Sequence, residues 1–234
     1  MDEMREILKK VQEKKISIEE AERLLRANLI EQVGDLAQLD IFRKTRTGVP
    51  EVIYAQNKEP RMVLEIINSF LNKTKFAIIS RYTQEQEVLI KNNLEKNDKY
   101  EIEINELGKI IIIRENSFNF TKKNGRVGII TAGSSDIPVA EEAKVISKVM
   151  GCEVFTGYDV GIAGFHRIFK PLSDMIKNEV DVLIVIAGME GTLPGVVAAL
   201  VDVPVIGVPV SSGYGLGEKG KGALTTMLQS CSPG

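Results

Sequence analysis

The chain has 234 residues, 44% of them apolar and 26% charged, and a formal net charge of −2. Those values exclude wholesale disorder and a global positive charge for nucleic acid, and the length lets the chain bury about 70% of its unfolded surface without disulfide staples. The N-terminus Met1-Asp2-Glu3-Met4-Arg5 is too charged for a secretory signal, and the longest apolar stretch, Gly195 to Val210, is broken by Asp202 and by prolines and glycines. Two cysteines are too few for a disulfide framework or a zinc site. The expectation is a soluble cytoplasmic protein with no membrane span and no nucleic-acid partner.

In chain order, Ile7, Leu8 and Val11 have helical spacing, and Ser17-Ile18-Glu19-Glu20 is a capping box that opens a second helix through Leu25. A short strand is predicted near Leu36–Ile41. The basic, Gly/Pro-punctuated loop Arg43–Glu51 follows. Next come a strand (Val52–Ala55), a helix (Arg61–Leu71), a strand (Lys75–Ser80) and a helix (Gln84–Leu94). Tyr100–Ile104 and Lys109–Arg114 read as paired strands around Glu106-Leu107-Gly108.

Composition then shifts. Residues 1–125 hold 43 charged side chains and 4 glycines, whereas residues 126–234 hold 19 and 16. That contrast predicts two domains: a smaller α/β domain over 1–120 with a helical start, and a second over 121–234. The polar run Thr121–Gly125 reads as the linker. The second half alternates strands (Arg126–Thr131, Cys152–Phe155, Asp181–Ala187, Pro204–Val208) with helices (Pro138–Met150, Gly164–Asn178, Leu193–Val201, Lys219–Ser230). Continuous β-branched runs such as Val182–Ile186 suit strands covered on both faces, so the expected fold is a three-layer αβα stack on a parallel sheet.

Ligands in such sheets bind beyond the carboxyl ends of the strands. Those ends are Thr131–Asp136, Asp159–Arg167, Ala187–Gly195 and Val210–Gly217. All combine small residues with polar groups and precede a helix, which favours anions and above all phosphate. Each candidate also has an ordinary reading. Ser135 and Asp136 can cap a helix whose first turn carries Pro138, and Asp159 can cap the next turn. His166 is the one histidine of the chain; it follows a Gly-rich strand end and precedes Arg167, which favours function over structure. Glu190 lies between two glycines at an apolar strand end, where a carboxylate needs a partner. Cys152 reads as core. Cys231, on residue type alone, is an unremarkable terminal cysteine, since a reactive thiolate needs a lowered pKa or a nearby cation.

As a set, the segment Thr131-Ala132-Gly133-Ser134-Ser135-Asp136-Ile137-Pro138-Val139-Ala140-Glu141-Glu142-Ala143, the Asp159…Phe165-His166-Arg167 segment and Leu193-Pro194-Gly195 resemble the PurE superfamily of imidazole ribonucleotide carboxylases and mutases. Arg46–Tyr54, Ala187-Gly188-Met189-Glu190-Gly191, Gly213-Tyr214-Gly215 and Ser230-Cys231-Ser232-Pro233-Gly234 are similar to the LarB family, which makes the precursor of the nickel-pincer cofactor. The likeness runs over nearly the whole chain. Two departures favour LarB over purine biosynthesis. Thr192 stands where the mutases have a histidine before Leu-Pro-Gly, and the mutases lack the Glu190 and Cys231 motifs. Members of the LarB family also continue past their Cys-x-Pro-Gly, which bears on the ordering of the Cys231 loop.

The resemblance implies a PurE-like, flavodoxin-like C-terminal domain. It also implies an enzyme that carboxylates C5 of the pyridinium ring of nicotinic acid adenine dinucleotide with carbon dioxide and hydrolyses the phosphoanhydride to release AMP. Cys231 would be the nucleophile at ring C4, and Glu190 a base or magnesium-linked group. Ser134, Ser135 and Asp136 would hold phosphate and ribose. Asp159, Gly188 and Gly213 would line the substrate site, His166 and Arg167 would neutralise the ring carboxylate or orient carbon dioxide, and Arg46 would contact the adenylate end. Mg2+ would polarise the phosphoanhydride, and the assembly would be a homo-oligomer, octameric by resemblance. The alternatives are a purine-pathway mutase or carboxylase and a non-catalytic nucleotide-binding module.

Overall fold

A computed structural model describes residues 2–27, 31–33, 37–39, 43, 47–95, 97–214 and 217–232. Two compact units emerge: Met1–Ile102 with Ile112–Phe118, and Glu103–Ile111 with Asn119–Gly234.

The first unit begins with helices α1 (Asp2–Gln12) and α2 (Ile18–Ala27). The Ser17 hydroxyl accepts the Glu20 amide, the N-terminal half of the predicted capping box. Two short strands, β1 (Glu31–Val33) and β2 (Ala37–Leu39), pair antiparallel; β2 falls inside the predicted strand, and β1 was not anticipated. Residues 36, 40 and 41 of that prediction lie outside the described residues.

A four-stranded sheet follows in the order β3-β4-β6-β5, from β3 (Ile53–Tyr54), β4 (Phe76–Ser80), β5 (Tyr100–Asn105) and β6 (Ile110–Glu115). Between these strands run α3 (Pro60–Thr74) and α4 (Gln84–Leu94). Val63, Ile66, Ile67, Phe70 and Leu71 recur at helical spacing and form the buried stripe of α3. Ile110 to Ile113 are all buried, as an interior strand covered on both faces requires. The connection from β5 to β6 is too short for a crossover, so these two strands are antiparallel.

In the second unit, β7 (Arg126–Thr131), β8 (Glu153–Gly157), β9 (Val182–Ala187) and β10 (Val205–Pro209) form an all-parallel sheet in the order β10-β9-β7-β8. The crossover helices are α5 (Ile137–Val149), α6 (Phe169–Lys177) and α7 (Leu193–Ala198), and α8 (Lys221–Leu228) follows β10. Side chains alternate across the strands. Val127, Ile129 and Ile186 pack with Ala140 of α5 on one face. Ile130, Leu183, Val185 and Ala187 pack with Leu172 and Met175 of α6 and Leu193 and Val197 of α7 on the other. This is the expected αβα stack.

One helix starts later than the sequence suggests. Ile162–Ile168 forms a 3₁₀ stretch kinked at Gly164, and only from Phe169 is the chain α-helical. Pro171 has no N–H to give, so it belongs in the first turn of a helix.

Among the described residues no helix is long and apolar enough to cross a membrane.

Candidate active site

The strand order dictates where a crevice must open. From β7 the chain crosses to β8 on one side, then returns to β9 on the other. The loops after β7 and β9 therefore diverge, and a cavity forms outside their carboxyl ends. It has a volume of about 380 Å3 and is lined from all four strand ends.

The loop after β7 supplies Gly133, Ser135 and Asp136. Asp136 is 2% exposed. Its Oδ2 accepts the Gly133 amide at 2.9 Å and its Oδ1 accepts the Ser212 hydroxyl. It thus clasps the loop after β10 to the loop after β7, across 76 positions of sequence. No side chain caps α5, which continues a 3₁₀ turn over Ser134–Asp136 in which the Asp136 and Ile137 amides donate to the Gly133 and Ser134 carbonyls. Ser134 is exposed and does not line the cavity.

The loop after β8 supplies Asp159, Gly161, Ile162, Ala163 and Arg167. Asp159 adopts a left-handed conformation, φ 55°. Its amide donates to Oγ1 of the fully buried Thr131 at 3.0 Å. Its carboxylate accepts Arg167 Nη1 at 2.9 Å, which points the one cation among the described residues of the lining. His166 is exposed and is not part of the lining. In the 3₁₀ stretch it is Arg167, one residue later, that faces the cavity.

The loop after β9 supplies Gly188, Met189, Glu190 and Thr192. Gly188 has to be glycine because a Cβ there would lie 2.2 Å from the Ser212 carbonyl oxygen. Gly213, at φ 123°, lies against Met189 in the same way. Glu190 is exposed in the lining, rather than buried with a partner as its apolar flanks suggest. Among the described residues of the lining, Asp136, Asp159 and Glu190 stand against Arg167. Among the described residues no group of three His, Cys, Asp or Glu could hold a metal ion.

Cys231 is a free, exposed thiol. Its neighbours Ser230 and Ser232 line a second cavity, of about 290 Å3, between α7 and α8. Thr192 borders both cavities. Arg46 lies outside the described residues. The sequence reading missed Ser212, although it marked the loop that carries it; an aspartate–serine pair 76 positions apart leaves no local signal.

Two family models divide the chain between them. One, for the LarB/PurE-like N-terminal domain, matches residues 30–115, and the other, for AIR carboxylase, matches residues 126–233. An uncharacterised protein of Methanocaldococcus jannaschii is 42% identical over 99% of this chain and 89% of its own length. The chain belongs to the LarB family of the PurE/AIR carboxylase superfamily. Likeness to purine enzymes is confined to a shorter stretch. An N5-carboxyaminoimidazole ribonucleotide mutase of M. jannaschii is 42% identical over 36% of this chain and 52% of its own length. A phosphoribosylaminoimidazole carboxylase of Saccharomyces cerevisiae is 38% identical over 36% of this chain and 15% of its own length. The chain thus matches about half of the mutase. The LarB cavity carries Thr192 just before Leu193-Pro194-Gly195, with Glu190 two residues earlier. These domains make the chain a carboxylase-superfamily protein.

Proposed function

We propose that this LarB protein carboxylates C5 of the pyridinium ring of nicotinic acid adenine dinucleotide with carbon dioxide and hydrolyses the phosphoanhydride. The products are a pyridinium dicarboxylate mononucleotide and AMP. The observation that carries the proposal is a LarB-type N-terminal domain joined to an AIR-carboxylase-type domain whose cavity is lined by exposed Glu190 and by Thr192.

A pyridinium ring is electron-poor and does not attack carbon dioxide. Addition of the Cys231 thiolate to C4 breaks the aromaticity and leaves C5 as the nucleophilic carbon of an enamine. C5 forms a bond to the carbon of carbon dioxide. Glu190 takes the C5 proton, and the thiolate departs from C4 as the ring regains aromaticity. Covalent catalysis of this kind divides one prohibitive step into easier ones. The roles fit the placement unequally. Glu190 faces the cavity, whereas Cys231 lies between Ser230 and Ser232, which line the neighbouring one, so attack requires the thiol to reach the ring from there.

Ser135 and the uncapped start of α5 hold phosphate, with Ser134 and Asp136 shaping the turn. Arg167, held by Asp159, neutralises the ring carboxylate or orients carbon dioxide, whereas His166, exposed and outside the lining, takes no part from where it stands. Gly188 and Gly213 give the ring room. As the alternative to its role as base, Glu190 together with substrate phosphates would hold Mg2+, since that ion is commonly bound by one or two carboxylates and phosphate oxygens. When bound it supplies charge neutralisation at the phosphoanhydride. The same proposal includes a homo-oligomer, supported by Phe165 and Phe169, which stack edge to face at 5.1 Å while 42% and 51% exposed.

The test is mass spectrometry of a reaction with nicotinic acid adenine dinucleotide, magnesium and carbon-13 bicarbonate. Labelled dicarboxylate mononucleotide and AMP are expected. No label in the product sinks the proposal. A second reading, turnover of the imidazole ribonucleotide, draws on the 42% identity of the stretch shared with the mutase, and the same assay with that substrate decides it.

A further inference from the structure

Among the described residues outside the cavity, one carboxylate is almost wholly buried and has no part in the chemistry above. Glu141 of α5 is 5% exposed. Its Oε1 accepts the Tyr158 hydroxyl at 2.6 Å and Lys144 Nζ at 2.8 Å, and its Oε2 accepts Asn105 Nδ2 at 2.6 Å. Asn105 belongs to the hairpin segment Glu103–Ile111, which is part of the second unit, and its Oδ1 accepts the Gly108 amide. A buried carboxylate with three donors, one of them cationic, is a fixed point rather than a mobile group.

Tyr158 directly precedes Asp159. The backbone there is costly, since a left-handed non-glycine residue is disfavoured by about 1–2 kcal/mol. Three bonds oppose that cost. The amides of Asp159, Val160 and Gly161 donate to Thr131 Oγ1, the Thr131 carbonyl and the Ala132 carbonyl. All three hold the downstream side of the turn. On the upstream side, the β7–β8 ladder runs up to Gly157, and beyond it the phenol of Tyr158 bonds Glu141, with Thr156 also bonded to that phenol.

We propose that Glu141 is a positioning residue for the cavity: through Tyr158 it sets the left-handed turn at Asp159 and, with it, the direction of the Arg167 guanidinium. The relay runs Glu141 to Tyr158 to Asp159 to Arg167, and only the last two line the cavity. Its consequence for substrate rests on the proposed function; the geometry of the turn does not.

Hydrogen–deuterium exchange of the whole chain without ligand tests it. Tyr158→Phe deletes one hydroxyl and leaves Lys144 and Asn105 on Glu141. Exchange of the amides at 159–161 is expected to quicken about tenfold, as for loss of a hydrogen bond to a charged group. Asn105→Ala is the control for a merely structural role and is expected to quicken exchange over 103–111 only. Unchanged protection at 159–161 in Tyr158→Phe overturns the proposal, as does equal loosening there in Asn105→Ala. Calorimetry with nicotinic acid mononucleotide adds the functional arm. Tyr158→Phe is expected to weaken binding severalfold in the unaltered chain and not at all in an Arg167→Ala background. A full additional loss in that background also overturns the relay. Exchange that behaves as expected in a chain that binds neither the mononucleotide nor nicotinic acid adenine dinucleotide retires the substrate reading and leaves the relay standing.

Discussion

The two sheets of this protein are built from the same material and finished differently. In the first unit, α4 begins with a complete capping box: Thr83 Oγ1 accepts the Gln86 amide and Gln86 Oε1 accepts the Thr83 amide. Buried Gln86 also donates Nε2 to the carbonyls of Ala55 and Lys58. The strand end there is sealed by its own side chains. In the second unit no side chain caps α5, and Asp136, where a cap is expected, spends its oxygens on Gly133 and Ser212. Packing against a sheet stabilises both regions alike. What differs is whether the polar groups at the strand ends are satisfied internally or left facing a cavity, and the cavity marks the region with chemistry to do.

That contrast is broken most severely at the reacting groups. In the labelled-bicarbonate assay, Cys231→Ala is expected to lower carboxylation about a thousandfold or more, as for loss of a covalent nucleophile. Glu190→Gln is expected to lower kcat by about 10²–10⁴-fold with little change in KM, as for loss of a general base. Unaltered rates in Cys231→Ala refute the covalent scheme. Unaltered kcat in Glu190→Gln moves the base elsewhere.

The next effect is steric. In Gly188→Ala the new methyl would lie 2.2 Å from the Ser212 carbonyl oxygen and 2.5 Å from its hydroxyl. The Met189 amide donates to that carbonyl and Asp136 accepts from that hydroxyl. The loops after β9 and β10 must part, which costs about 1–3 kcal/mol, the usual range for overpacking. A melting temperature lower by several degrees with lost turnover is the expected pair of results. Gln86→Ala sharpens the contrast from the other side. It removes a buried capping box and is expected to cost about 2 kcal/mol in urea denaturation, with turnover per folded molecule unchanged.

These positions differ in how visible they are in the sequence. The parallel sheet is legible because its strands are continuous apolar runs, and glycine-rich ends mark where the loops must turn. Ser135, Asp136, Asp159, Arg167, Gly188, Glu190 and Gly213 are legible as a group for the same reason, and all line one cavity. The strand Glu31–Val33 is too short and polar to carry a periodic signal. The late start of α6 follows from the kink at Gly164, and that kink also decides that Arg167 rather than His166 faces inward. The Asp136–Ser212 clasp and the placement of Cys231 beside a second cavity arise only from tertiary contact.

The smallest expected effect is a pH dependence of stability seated at Glu141. Burial alone would raise its pKa, but the bonds from Lys144, Tyr158 and Asn105 outweigh burial and hold it below the ordinary value of 4.5. A carboxyl depressed on folding contributes stability that is complete above 4.5 and fades as pH falls through the folded value. The phenol of Tyr158 moves the opposite way. Burial, then the Glu141 carboxylate, raise its pKa above the ordinary 10.0, so its contribution is complete below 10 and fades as pH climbs beyond it. Urea denaturation at a series of pH values should therefore show an acid limb that flattens in Glu141→Gln and an alkaline limb that flattens in Tyr158→Phe. Each variant should leave the slope between pH 6 and 8 as it was. If Glu141→Gln leaves the acid limb unchanged, the bonds from Lys144, Tyr158 and Asn105 do not outweigh burial, and the carboxyl is not held below its ordinary value.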